Sequence, residues 1–425
     1  MPAVAVIAAF FTLLASGLPI FLVLGGLALF LVWIEGEPLI GFSQLFLDHL
    51  NSQTLIAIPF FVMAATFMNR GGIAKALVDC AYSWVGWMRG GLAIVCVVAT
   101  TIFAAISGSS VATAMAMGTL LVPAMLAKNY EEKFALGVVG ASGTLGILIP
   151  PSLAMIVFAI IAEESVPRLF MAGVIPGLMQ AGLFVLWIMF YTRKKNYPKG
   201  DPISRKDFVS VNVRAIPALL LPVVILGGIY SGIVTVTEAA GVAAVVAIVI
   251  SLLVYKGCTL KDVPGIVAEA MRLTATILFI ILGALAFGHW ITDSGMAESL
   301  VTFVTEHELS RWQFLLLINL LMLGLGMFLE VIAVILIVVP LVLPLLKPMG
   351  VDPVHFAMII TINMELALLT PPVGLNLFVL SSITGAPVER VARGVLPFVV
   401  IMVVLLLLIT FVPEISLFLP NLMFG

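Results

Sequence analysis

The strongest constraint on this chain is how far it runs without a charged side chain. Residues 91–127 contain no Asp, Glu, Lys or Arg, and after a compact break at Lys128, Glu131, Glu132 and Lys133 a second uncharged run covers 134–162. Both exceed the roughly 20 apolar residues that a helix needs to cross a bilayer. Of the 425 residues, 62% are Ala, Val, Ile, Leu, Met, Phe, Trp, Tyr or Cys and 10% are charged, with a mean hydropathy of +1.25. Soluble domains carry about 45–50% apolar and about 25% charged residues. A water-soluble globule is therefore excluded, and the expected class is all-α: a polytopic membrane protein with at most about a dozen crossings. A net charge of −2 and a pI near 6.1 leave no basic field for nucleic acid.

The charged breaks give orientation. Residues 4–34 form one apolar stretch interrupted at Ser16-Gly17-Leu18-Pro19, and no Lys or Arg precedes it, so it reads as a retained first span and not as a signal peptide. The 35–50 loop holds Glu35, Glu37 and Asp48 but no cation, and should face away from the cytoplasm. Residues 53–69 read as a second span. Residues 70–90 are too polar to cross but alternate at helical spacing, which suits an interfacial helix anchored by Arg70, Trp84, Trp87 and Arg89. After a span at 169–192, residues 193–206 carry Arg193, Lys194, Lys195, Lys199, Arg205 and Lys206, which marks them as cytoplasmic and as the linker between two halves. The second half has apolar material at 215–255, a mixed helix at 261–291, a polar stretch at 293–311, and apolar runs at 312–346, 354–383 and 387–412. Cys80, Cys96 and Cys258 lack any CxxC spacing and read as small apolar fillers.

The halves are related. A shift of 221 residues aligns Pro123 with Pro344, Pro150 with Pro371 and Pro151 with Pro372, along with Leu120/Leu341 and Leu145/Leu366. The prolines give this repeat its weight, because each removes a backbone donor at a defined place.

Around them lie the residues suited to chemistry. The first half has Ile106-Ser107-Gly108-Ser109-Ser110 and then Gly140–Ser152, GASGTLGILIPPS; the second has Gly324–Glu330, GLGMFLE, and then Leu368–Asn376, LLTPPVGLN. Pro150 and Pro151 cannot donate to the carbonyls of Gly146 and Ile147, nor Pro371 and Pro372 to those of Ala367 and Leu368. Such carbonyls are tolerated only inside protein or along a wet cavity, where they coordinate cations, and a matching pair of broken helices points to a transporter site at the midplane. The competing reading is a proline kink with small-residue helix packing. The apolar stretches 111–127 and 331–346 then fold as arms of two re-entrant hairpins, whose tips bring 107–110 near 143–152 and 324–330 near 367–376.

Acids at membrane depth are Glu330, Glu365 and Glu238. Glu330 follows the glycines and is read as a site residue; Glu365 stays unassigned; Glu238 fits a helix cap on Thr235 or Thr237 at least as well as a functional role. His289, on the 261–291 helix, reads as a hydrogen-bonded core residue before a proton relay. Lys and Arg are missing from both broken regions, so an anion there would need half-helix N-termini or bound cations, and cation coupling follows.

GASGTLGILIPPS (140–152), GIVTVTEAAGVAAV (232–245) and LLTPPVGLNLFV (368–379), in this order and spacing, resemble the large membrane subunit of tripartite ATP-independent periplasmic (TRAP) transporters, over essentially the whole chain. That resemblance implies an elevator-type secondary transporter of the bacterial inner membrane with inverted repeats. It would be a sodium symporter, not an enzyme. Its cargo would be an organic acid of the sialic acid or C4-dicarboxylate kind, delivered by a periplasmic substrate-binding protein, and its membrane partner a separate small four-helix subunit. Carried over, one Na+ site would use Ser107, Gly108 and Ser110 with Gly146, Ile149 and Pro150; a second would use Gly324 or Gly326 with Ala367 and Thr370. Substrate would lie near Ser107, Ser152, Glu330 and Asn376, Glu330 standing where the family commonly has Asp. The implied division is 1–90 scaffold and first arm, 91–192 transport domain, 193–210 linker, 211–310 scaffold and second arm, and 311–425 transport domain with the C-terminal helices. The rival readings are a stand-alone symporter or antiporter without a binding protein, a lipid-modifying enzyme, for which no paired-carboxylate, HExxH or nucleophile motif exists, and a passive channel.

Overall fold

A peptide group in hydrocarbon finds a partner only within its own helix or inside the protein, and the described residues are accordingly arranged almost wholly as helices. The structure is a computed structural model that describes residues 3–36, 53–197, 199–295 and 309–424, with positions 38, 40, 41, 44, 46, 47, 302, 306 and 307 between them. The expectations for Glu37, Asp48 and most of the 293–311 arm lie outside the described residues.

The first half comprises α1 (Ala3–Ala15), α2 (Ile20–Glu35), α3 (Gln53–Arg70), α4 (Ile73–Val85), α5 (Gly91–Ser107), α6 (Ser110–Ala127), α7 (Glu132–Leu148), α8 (Leu153–Ala162) and α9 (Val166–Lys194). The second comprises α10 (Arg205–Tyr230), α11 (Val236–Val249, extended by a π turn over Ile250–Val254), α12 (Val263–Asp293), α13 (Arg311–Gly326), α14 (Val331–Leu346), α15 (Pro353–Leu368), α16 (Leu375–Thr384), α17 (Val388–Phe411) and α18 (Glu414–Phe424). Among the described residues, seven helices are long and apolar enough to cross a membrane, or eight if α3 and α4, bent by 67° at Gly71-Gly72, form one broken span. The count falls below a dozen because much of the apolar sequence goes into helices of 10–17 residues. The bend turns α4 away from α3, as an interfacial segment requires, with Trp84 and Trp87 exposed.

The repeat is structural as well as sequential. Shifted by 221 residues, the starts of α5 to α9 at 91, 110, 132, 153 and 166 fall on 312, 331, 353, 374 and 387, within one residue of the starts of α13 to α17. Packing is reciprocal: α8 lies against α14 while α16 lies against α6, and α11 pairs with α3 while α12 pairs with α2. Each half-helix that follows a proline break thus packs on the other half of the chain. In an apolar 18-residue window of the broken span Glu132–Ala162, 78% of the residues are buried, against 22% in that of Arg205–Tyr230. The break sits in the centre of the protein, and α10 lies on its periphery.

Small residues permit the close packing at that centre. A Cβ added to Gly137 on α7 would meet the backbone of Gly394 on α17, and one added to Gly394 would meet the Lys133 carbonyl. Gly137→Val should therefore destabilise the chain by at least the roughly 1–3 kcal/mol typical of overpacking. Gly182→Ala, where nothing lies within 4 Å, should be neutral or slightly stabilising. Unfolding temperatures in detergent check both, and equal values for the two variants would contradict the packing.

Candidate functional site

The two proline pairs occupy equivalent places, at the ends of α7 and α15, and both Pro150-Pro151 and Pro371-Pro372 are cis. For the carbonyls of Gly146 and Ile147 the helical donors four residues on would be Pro150 and Pro151, which have none. Leu368 is in the same position relative to Pro372. The expectation for Ala367 needs correction: its carbonyl accepts the Thr370 N–H at 3.2 Å, because the last turn of α15 tightens to an i+3 bond. Thr370 also donates its hydroxyl to the Leu366 carbonyl at 2.6 Å.

Opposite the first break is a helix–turn–helix tip. Gly108, at φ +62°, closes α5, and Ser109 caps α6 by accepting the Ala112 N–H at 3.4 Å. Ser107 donates to the Ser109 carbonyl at 3.3 Å and accepts from Thr113 Oγ1 at 3.1 Å. The tip is seated on the break: the Leu153 N–H donates to the Gly108 carbonyl at 3.4 Å. A Cβ on Gly108 would come within 3.0 Å of the Pro151 carbonyl, and one on Gly146 within 2.6 Å of the Ser109 carbonyl. Glycine is required at both positions by this approach, and at Gly108 by the left-handed backbone as well. The other half contributes directly, since Asn376 on α16 donates to Ser110 Oγ at 2.7 Å. Ser152 Oγ and Asn376 Oδ1 are buried without a hydrogen-bond partner among the described residues. Buried polar atoms left open in this way call for a ligand or water. Ile149 and Pro150 are buried beside them.

The second tip is less complete. Gly326 is buried, and a Cβ there would come within 2.6 Å of Ala367 Cβ, but Gly324 is exposed with nothing within 4 Å. Two residues apart on a helix means nearly opposite faces, so the structure brings Gly326, and not Gly324, to the break. Glu330 is the N-cap residue of α14 without a side-chain capping bond, and its carboxylate makes no hydrogen bond or ion pair among the described residues.

Some residues have roles the sequence did not reveal. Thr113 completes the first tip. Glu365 on α15 is fully buried, and neither of its carboxylate oxygens has a hydrogen-bond partner among the described residues; on α9 and α7, Gln180 Nε2 donates to Thr144 Oγ1 at 3.1 Å. Asn319, Asn363 and Thr410 form another buried chain, with Asn363 donating to Asn319 and Asn319 to Thr410 Oγ1 at 3.1 Å. No local pattern in sequence announces these contacts, which join residues 36, 44 and 91 positions apart. His289 is corrected: it is exposed and pairs with Asp293 at 3.3 Å, outside the core. Glu238 forms a capping box with Thr235, the reading that competed with a functional role.

Chemically, the tips and breaks offer peptide carbonyls, hydroxyls, the Asn376 amide and the Glu330 carboxylate, with no Lys or Arg in 106–113, 140–155, 324–334 or 366–378. Four helices, α6, α8, α14 and α16, start at these places. Such a set suits a small hard cation at the carbonyls and an anion at the positive helix ends.

Comparison with known proteins agrees in kind. The family described as tripartite ATP-independent periplasmic transporter, DctM component, matches residues 7–415. The chain is 45% identical to the C4-dicarboxylate TRAP transporter large permease protein DctM of Pseudomonas aeruginosa, over 87% of this chain and 86% of that protein. It is 38% identical to the DctM of Rhodobacter capsulatus over the full length of both. To the sialic acid TRAP transporter large permease protein SiaM of Vibrio cholerae it is 34% identical over 97% of each. Among solved structures, the YdaH transporter of Alcanivorax borkumensis shares the fold with a TM-score of 0.61 at 14% identity, covering 89% of this chain and 88% of that one. Family, span pattern and fold converge: this chain belongs to the DctM component of the tripartite ATP-independent periplasmic transporters, as a multi-pass large permease of the bacterial inner membrane.

Proposed function

We propose that this permease drives uptake of an organic acid with sodium, receiving its cargo from a periplasmic substrate-binding protein and working with a separate small four-helix membrane subunit. The observation that carries this reading is the seating of the Ser107–Ser110 tip on the Ile149–Ser152 break, with Asn376 of the other repeat closing the contact. Carbonyls without donors and hydroxyls stand together there with no fixed positive charge, so a cation must arrive before, or with, a carboxylate. Sodium at the carbonyls of Gly146 and Ile149 and at Ser107, Gly108 and Ser110, and at the Gly326, Ala367 and Thr370 end of the second repeat, supplies that charge. Ser152, Asn376 and Glu330 then face the cargo. The higher identity to the C4-dicarboxylate permeases than to the sialic acid one ranks C4-dicarboxylates first as substrate class.

The division of labour follows the repeat. Residues 91–192 and 311–425 would move together as an elevator against residues 1–90 and 211–310, with 193–210 as the linker. The reciprocal packing of α8 on α14 and α16 on α6 supports a single moving body, because neither half-helix can shift without the other repeat.

Three outcomes are expected. In proteoliposomes, uptake of a labelled C4-dicarboxylate should require inward sodium, the small subunit and the binding protein; uptake by this chain alone, indifferent to sodium, would overturn the proposal. Ser107→Ala and Thr370→Val should each raise the sodium needed for half-maximal uptake about tenfold, the weight of one hydrogen-bond-strength contact to a charge; unchanged sodium dependence in both would reject the site. Asn376→Leu leaves Ser110 buried and unpaired, which costs about 1–3 kcal/mol and should lower the unfolding temperature in detergent.

A further inference from the structure

Away from both breaks, the loop that leaves α4 and the end of α9 enclose a pocket of about 540 Å³ lined by Trp87, Met88, Arg89, Met189, Arg193 and Lys199. Backbone contacts build its walls. Arg89 and Lys199 form an antiparallel bridge, Thr192 Oγ1 lies 3.4 Å from the Arg89 carbonyl as donor, and Gly90 adopts φ +69° where any Cβ would strike the Thr192 side chain. Gly200 likewise lies against the Gly86 carbonyl, with no room for a side chain. The pocket is thus present before any ligand arrives.

Its charge is uncompensated. Arg89 donates to Asn196 Oδ1 at 3.5 Å, and among the described residues no carboxylate forms an ion pair with Arg89, Arg193 or Lys199. The ion pair formed nearby, Lys195 with Glu131 at 3.9 Å, uses a different cation. Three cations lining one pocket with no acidic partner call for a polyvalent anion, and guanidinium groups favour phosphate oxygens in particular. The other half of the lining, Trp87, Met88 and Met189, is apolar. Its depth is set by the sequence: the neighbouring 193–206 segment holds six Lys or Arg and one acid, Asp201, which places it at the cytoplasmic face, and exposed Trp84 and Trp87 mark the headgroup level. A free phosphate would satisfy the cations and leave the apolar wall in water; a phospholipid satisfies both.

We infer that this pocket binds the phosphate headgroup of an anionic phospholipid from the cytoplasmic leaflet, with its chains along Trp87, Met88 and Met189. The bound lipid ties the α4 arm to the end of α9. In the elevator reading proposed above, on which this consequence but not the binding itself rests, it spans the boundary between static and moving parts.

Native mass spectrometry of the full chain, released from mixed phosphatidylglycerol and phosphatidylcholine, tests the binding without any transport assay. One phosphatidylglycerol should be retained in preference to phosphatidylcholine, and Arg89→Gln, Arg193→Gln and Lys199→Gln should each cut that retention about fivefold, the weight of one cation near a lipid surface. The control variant Lys194→Gln/Arg205→Gln/Lys206→Gln, outside the pocket, should keep it. Equal retention of the two lipids, equal loss in the control, or displacement of the lipid by millimolar inorganic phosphate would overturn the inference. Sodium-dependent uptake that fails while the lipid preference persists would remove the transport reading and leave the site standing.

Discussion

A carbonyl without a donor inside hydrocarbon costs several kcal/mol, and this chain creates such groups deliberately by ending α7 and α15 in Pro150-Pro151 and Pro371-Pro372. Pro150 and Pro151 are buried while Pro371 and Pro372 are exposed, and it is around the first pair that the protein answers that cost. Ile149, Pro150, Pro151 and Ser152 are all buried, a helix–turn–helix tip lies against them, and Gly108 and Gly146 remove the side chains that would hold the two backbones apart. The outcome is an interior place where backbone oxygen is dense and fixed charge is absent.

The repeat turns one such place into a paired architecture. Because α16 packs on α6 and α8 on α14, each tip is buttressed by the half-helix that follows the other repeat's break. Asn376 makes this link chemical, reaching Ser110 across 266 residues of sequence. The two ends are not copies, however. Ile149 N–H bonds four residues back to Leu145, while Thr370 N–H bonds three back to Ala367, so the repeats present different carbonyls. The two cation sites proposed above would accordingly have unequal ligands.

Peripheral elements follow different physics. The α3–α4 bend, the exposed Trp84 and Trp87 and the cationic 193–206 segment have the composition of a membrane interface, where snorkelling cations and amphipathic rings settle at the headgroups. There Arg89, Arg193 and Lys199 form no ion pair among the described residues, whereas the breaks carry no Lys or Arg at all.

Hydrophobic runs, charged punctuation and paired prolines were enough to establish a helical membrane protein with two related halves and the positions of both breaks, because those features act locally on each stretch of backbone. The register of 221 residues, read from a few prolines, matches the helix starts to within one residue. Side-chain partnerships were a different matter. Whether Gly324 or Gly326 meets the second break, that Ala367 loses its free carbonyl, that His289 sits outside the core, and that Gln180 pairs with Thr144 and Asn376 with Ser110 all depend on helix rotation, on how a helix ends and on which elements become neighbours. Periodicity specifies which face of a helix is apolar, but in a chain with 62% apolar residues nearly every face qualifies, so only tertiary packing decides which polar atoms meet.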